Sequence, residues 1–216
     1  MGGYIDAVSW PRASLAEFFG RTDYPFYSLT SRVDAGFLYA FAKAEGLSFY
    51  GCMIWAVMSA LNRTDAFSYK LRQDGVYRHD FLSPSFTAEA DGELIKIVNL
   101  DWLPGESPAA FALRAKADAA AQSFLLPDDK SEARDDLAYL SCLPWLDFSA
   151  LTNERAFDKN DSIPRVSWGR LCEDGTLAVS VDVNHRLIDG RHIAAFLAAL
   201  SSFTSAPAQA IINPFR

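Results

Sequence analysis

Between Leu177 and Asn184, apolar Leu177, Val179, Val181 and Val183 alternate with Ala178, Ser180, Asp182 and Asn184. A period of two marks a strand with one buried face. Past His185 the spacing changes. Ile193, Phe196, Leu197 and Leu200 recur at helical intervals, Asp189 is placed to cap the first turn, and Gly190 follows it. The same two periods divide the rest of the chain. Pro11 suits the first turn of a helix through Phe19, with Gly20 as its stop. Tyr24 to Val33 predicts a strand, and Asp34 the cap of a helix ending near Gly46. Ser48 opens a helix from Phe49 to Leu61 that is apolar on nearly every side, so it belongs in the centre.

Further strands are expected over Phe67 to Leu71, Gly75 to Phe81 and Ser85 to Leu100, broken by hairpin signals at Asp74-Gly75 and Asp91-Gly92. Pro108 to Phe124 predicts an alanine-rich helix whose solvated side carries Arg114, Lys116 and Asp118. Pro127 to Asp136 is a charged connection, expected to be the most mobile segment and the one internal linker. Three strands follow, over Leu137 to Phe148, Arg165 to Leu171 and Thr176 to Asn184, the last two joined by Glu173-Asp174-Gly175. Ser149 to Ile163 is too polar and too long for a simple turn, and long loops in compact domains are often functional. The expected architecture is α+β: a two-layer sandwich of helices packed on a large, mostly antiparallel or mixed sheet, with residues 1–216 forming a single domain.

Composition narrows this picture. The chain has 216 residues, half of them apolar, which is enough for a sizeable core and too apolar for wholesale disorder. A net charge of −7 argues against nucleic acid as a partner, although a local basic pocket can still hold a phosphorylated co-substrate. The three cysteines, Cys52, Cys142 and Cys172, are scattered, with no pairing typical of a zinc site, and no metal is expected. An odd number of thiols suggests a reducing cytoplasm. The first residues have neither a basic start nor an apolar stretch, so no leader peptide and no membrane attachment are expected.

The candidate chemistry sits where the last strand meets the last helix. His185 falls where regular structure stops, a place where a side chain is held rigidly yet can reach a reactant. A core histidine and a helix-capping aspartate would also account for His185 and Asp189. The pattern His185-x-x-x-Asp189-Gly190 at a strand-to-helix corner resembles the signature of the CoA-dependent acyltransferases with the chloramphenicol acetyltransferase fold. Its form His185-Arg186-x-x-Asp189-Gly190 is also similar to that of dihydrolipoyl acyltransferase cores, which leaves two branches open. The chloramphenicol acetyltransferase branch gains from the rest of the chain. Trp10-x-Arg12 with Glu17-Phe18-Phe19 resembles that family's opening helix, and Tyr27 to Asp34 its second element. Phe49-Tyr50-x-x-Met53-Ile54 resembles the start of its buried helix, and Leu143-Pro144-Trp145 its Pro-Trp strand.

The resemblance implies an acetyl-CoA-dependent O-acetyltransferase in which His185 takes the proton of an acceptor hydroxyl. It implies that Asp189 pairs with Arg12 to aim that histidine, and that Tyr27, Phe19 and Ser167 lie at the acceptor pocket. It further implies a homotrimer with active sites between subunits. Two departures stand out. Phe19 replaces a frequent tyrosine. Ala150 falls where the family places its oxyanion-stabilising serine, with Ser149 beside it. A lipoyl-type acyltransferase and a faded homologue that only binds a ligand or partner are the competing functions.

Overall fold

A computed structural model describes residues 2–6, 8–92 and 94–206. Its main sheet has six strands, β2 (Phe26–Asp34), β5 (Ser83–Glu89), β6 (Ile95–Asn99), β7 (Leu137–Cys142), β8 (Arg165–Trp168) and β9 (Thr176–Asn184). Their order is β2-β9-β8-β7-β5-β6, with β7 parallel to both β5 and β8 and the other neighbours antiparallel. The helices are α1 (Ala13–Gly20), α2 (Gly36–Ala44), α3 (Phe49–Arg63), α4 (Pro108–Ala121), α5 (Asp129–Glu132) and α6 (Gly190–Ser205).

Among the described residues a second, smaller sheet accompanies the main one. A 3₁₀ turn at Asp65–Ser68 takes up Phe67, and the hairpin β3 (Tyr69–Arg72) and β4 (Gly75–Arg78) pairs with the short β1 (Gly3–Tyr4) as a separate three-stranded sheet. The charged connection is also not featureless, because Asp128 caps α5 through Ser131 N–H. Helix α1 begins two residues after Pro11, and its first residue is preceded by an Arg12 whose side chain caps nothing locally. That guanidinium is engaged elsewhere, as described below.

Burial of apolar surface, at about 25 cal/mol per Å², organises the core around α3. Its residues Cys52, Met53, Ile54, Trp55, Val57 and Met58 are all buried, as its all-round apolar pattern required. Ser48 accepts a hydrogen bond from Gly51 N–H and starts the helix. A Cβ on Gly51 would lie 3.0 Å from the Cβ of Ala112, so the glycine lets α3 and α4 approach closely. Leu177, Val179, Val181 and Val183 of β9 join the same core, as do Val166 and Trp168 of β8.

The other face of β9 is polar and still buried. Ser180, Asp182 and Asn184 lie there beneath the irregular stretch from Ser149 to Ile163. The chain leaves the sheet ahead of that stretch, where β7 stops at Cys142. Pro144 has no N–H to continue a ladder, and the turn after it packs on the end of β8. A Cβ on Gly169 would sit 2.6 Å from the Leu146 carbonyl, whose oxygen accepts Arg170 N–H at 2.8 Å.

Candidate active site

The alternation in β9 runs out at Asn184, and the chain turns through His185, Arg186 and Leu187 before Asp189 caps α6. The corner is fixed by its backbone. His185 N–H donates to the Pro25 carbonyl at 2.8 Å, just ahead of β2. Arg12, from the turn before α1, reaches the corner with three separate donors. Its Nη2 donates to the His185 carbonyl (2.9 Å), its Nε to the Arg186 carbonyl (3.0 Å), and its Nη1 to Asp189 Oδ2 (2.9 Å). A planar guanidinium with fixed donor directions suits this task, because three acceptors set its position and orientation together. The Arg12 side chain is only 11% exposed and that of Asp189 35%.

Asp189 serves twice. Its Oδ1 accepts the Arg191 N–H at 3.0 Å, and its own N–H donates to His192 Nδ1 at 3.1 Å, completing a capping box at the start of α6. Burial works to raise the Asp189 carboxyl, but the Arg12 hydrogen bond and the nearby His192 and Arg12 charges hold it below the usual carboxylate range. The stability this contributes is present above the unfolded value of about 3.9 and is lost as pH falls through the folded value. Burial also lowers His192, and its Nδ1 can accept the Asp189 N–H only while neutral.

Above this corner the His185 ring is boxed by aromatics. Phe19, from the end of α1, lies over it with ring centroids 3.8 Å apart and planes tilted by 33°. Tyr27 of β2 meets it edge-on at 4.8 Å. Among the described residues, neither imidazole nitrogen has a hydrogen-bond partner, so a nitrogen lone pair is available to a reactant. Burial, with the Arg12 charge and against that of Asp189, lowers the His185 pKa, so the ring is neutral and basic at cellular pH. The Tyr27 hydroxyl is buried and unpartnered among the described residues. Burial and the Asp189 charge, opposed by Arg12, push it up to about 12, and it keeps its proton as a donor.

The residues read from the sequence therefore fall into two groups. His185, Asp189, Arg12, Tyr27 and Phe19 come together at one corner. Ser149, Ala150 and Ser167 do not join them in the same chain. Ser167, on β8, is 1% exposed and donates to Asn153 Oδ1 at 3.0 Å. Asn153 in turn gives its backbone N–H to Asp182 at 2.8 Å and its side-chain amide to the same carboxylate oxygen, while Ser28 donates to the other oxygen. With the Leu151 carbonyl accepting Ser180 Oγ–H at 2.6 Å, this network lays the segment from Leu151 to Arg155 against the sheet. Exposure alternates along it: Leu151, Asn153 and Arg155 are partly covered, whereas Ala150, Thr152 and Glu154 are exposed.

Sequence reasoning gave no role to Arg186 and Asp182. A polar residue on each side of His185 and an aspartate inside a strand otherwise destined for burial were the available signals. No cluster of three potential metal ligands occurs among the described residues, and no described helix is long and apolar enough to cross a membrane.

We expect replacement of Arg12 or Asp189 alone to lower both stability and turnover, since each removal strands a partly buried partner. The double variant should cost less than the sum of the singles, with a coupling of about 0.5–3 kcal/mol. Urea unfolding of the four proteins measures it, and strict additivity would show that the clamp does not act as a unit.

Known proteins resemble this chain along nearly its whole length. Residues 3–201 match the family model described as chloramphenicol acetyltransferase. A chloramphenicol acetyltransferase from Staphylococcus aureus is 25% identical over 211 residues, covering 94% of this chain and 95% of the relative. A solved chloramphenicol acetyltransferase structure superposes with a TM-score of 0.85 at 23% identity, over 94% of this chain and 100% of the other. A probable dihydrolipoamide acetyltransferase from Listeria monocytogenes shares the fold more distantly, with a TM-score of 0.63 at 16% identity over 95% of this chain and 94% of the other. Matched along nearly its whole length, the chain belongs to the chloramphenicol acetyltransferase family, a family of acyltransferases.

Proposed function

We propose that this protein transfers an acetyl group from acetyl-CoA, the family's co-substrate, directly to a hydroxyl of a small molecule held in the same ternary complex. The acceptor is chloramphenicol, whose acetylation would confer antibiotic resistance, or another small alcohol. The observation that carries this reading is the His185 ring, backbone-anchored, packed against Phe19 and Tyr27 and held neutral, with neither nitrogen hydrogen-bonded among the described residues. The acceptor oxygen attacks the thioester carbonyl as His185 removes its proton. The tetrahedral intermediate then collapses, the C–S bond breaks, and His185 returns the proton to the departing CoA sulfur. Arg12 and Asp189 aim the base, while Phe19 and Tyr27 wall the acceptor site, with the Tyr27 hydroxyl free to donate to substrate.

The group that stabilises the oxyanion comes, on this proposal, from a second copy of the chain. Ser149, Ala150 and Thr152 are exposed, while Ser167 holds their segment to the sheet through Asn153. Around them Trp145 is 75% exposed and Phe157 93%, surface that a neighbouring subunit would cover. The working unit is thus a homotrimer with sites between subunits, residues 1–216 acting as one domain, in the cytoplasm where Cys52, Cys142 and Cys172 stay unpaired. An acetyl-CoA assay reading free thiol, run with chloramphenicol and a panel of hydroxylated acceptors, should show acceptor-dependent release. Light scattering should return three chain masses. Absence of release with every acceptor would favour a protein that binds without turnover, and a monomer mass at micromolar concentration would sink the shared site.

A further inference from the structure

His185 is flanked by two polar residues, and both reach the same three-residue segment. Asn184 Nδ2 donates to the Lys159 carbonyl (2.9 Å) and to the Asp161 carbonyl (3.0 Å). Arg186 Nη1 donates to Asn160 Oδ1 at 2.9 Å and more weakly to the Lys159 carbonyl at 3.5 Å. The two are also joined to each other, Arg186 N–H donating to Asn184 Oδ1 at 3.0 Å. On its opposite edge Arg186 donates from Nε to the Ala16 carbonyl of α1 at 3.2 Å, three residues before the Phe19 that covers the His185 ring. The guanidinium packs under Gly20, where a Cβ would come within 3.1 Å of its Nε.

These partners are all neutral oxygens. No carboxylate pairs with Arg186 among the described residues, and burial alone lowers its pKa. A partly buried cation without a counter-charge contributes little stability as an ion pair and pays for desolvation. Its geometry is therefore better explained by what it connects. Segment 159–162 is tied on its far side to β3, with Leu71 N–H donating to Ser162 Oγ (2.9 Å) and the buried Lys70 Nζ to the Ser162 carbonyl (3.1 Å). Arg186 thus bridges α1, which carries the wall of the acceptor site, and a loop end anchored to the second sheet, using the residue bonded directly to His185.

We propose that Arg186 is a second positioning residue for His185. Arg12 holds the corner by its carbonyls, and Arg186 sets the corner against α1 and segment 159–161, fixing the Phe19–His185 stack. The proposal rests on His185 being the base. Misplacement of reacting groups by about 1 Å can cost on the order of 10²-fold in rate, so Arg186→Met should lower kcat by about ten- to a hundredfold while the KM for acetyl-CoA changes little. Arg186→Lys, able to reach Asn160 but not Asn160 and Ala16 together, should recover only part of the loss. Asn160→Ala should reproduce the lesion in milder form, and do little more when added to Arg186→Met.

The same variants are to be followed by NMR on histidine-labelled protein. With three histidines in the chain, His185→Ala assigns the signal. The His185 ring resonances, shifted by the Phe19 face above them, should move toward unstacked values in Arg186→Met and partly so in Asn160→Ala. Unchanged His185 resonances and an unchanged kcat in folded Arg186→Met would overturn the proposal. So would resonances that move in Arg186→Met but stay fixed in Asn160→Ala, because the bridge to segment 159–161 would then be idle. If the wild-type protein transfers no acetyl group while these resonances move as expected, the base assignment fails and the positioning role stands.

Discussion

Replacing His185 with alanine should cost acetyl transfer about 10²–10⁴-fold, the usual contribution of a general base, and leave the fold in place. The second half of that expectation comes from the way the corner is held. Its three nearest anchors are main-chain groups: His185 N–H on the Pro25 carbonyl, and the His185 and Arg186 carbonyls on Arg12. Alanine retains all of them and deletes only the ring between Phe19 and Tyr27. The loss should therefore appear in turnover and not in the unfolding transition. The pH profile supplies a second check. A histidine whose pKa is lowered is in its basic form down to more acidic pH, so the acid limb of kcat/KM should fall below the ordinary histidine value of about 6.5. In His185→Ala that limb should disappear from whatever rate remains. Wild-type turnover in the folded variant, or an acid limb well above 6.5, would remove His185 from the role of base.

How much of this was legible in the sequence follows from what local patterns encode. The strand before His185, the cap at Asp189 and the buried α3 depend on spacing within about fifteen residues, and the structure has each of them. The pairing of Arg12 with Asp189 spans 177 positions, and it was read through family resemblance, because no local pattern specifies such a contact. The first hairpin was legible, but the sheet that it joins was not. Its strands look like those of the main sheet, and whether they join it depends on which edge is free, a tertiary matter. The polar face of β9 misled in another way. Ser180, Asp182 and Asn184 alternate like solvent-facing residues, yet they are buried because an irregular segment supplies hydrogen-bond partners where water was expected. Ser167 shows the same effect: its hydroxyl is spent on Asn153. Polar residues in alternation announce a face, and what covers that face is decided far away in the chain.

The last expected result concerns Ala150, which falls where the family resemblance puts an oxyanion-stabilising serine. The network holds Leu151, Asn153 and Arg155 on the sheet and leaves Ala150 and Thr152 exposed, and Thr152 carries the hydroxyl that Ala150 lacks. If this exposed hydroxyl meets the neighbouring subunit's His185, Thr152→Ala should lower kcat by about 10²–10³-fold, the effect of removing one preorganised oxyanion donor. Ala150→Ser should then change little, because the donor is already supplied, and Ser149→Ala less still. A large gain in Ala150→Ser with an unaffected Thr152→Ala would show instead that the natural site lacks a donor and turns over slowly. Subunit mixing separates the shared site from one built within a chain. Chains carrying only His185→Ala and chains carrying only Thr152→Ala are each expected to be nearly inactive. In trimers assembled at random from equal amounts, about a quarter of the interfaces would join an intact histidine to an intact threonine. Activity should rise toward that fraction of wild type on mixing. A site that draws both groups from one chain would recover nothing, since every chain in the mixture carries one of the two lesions.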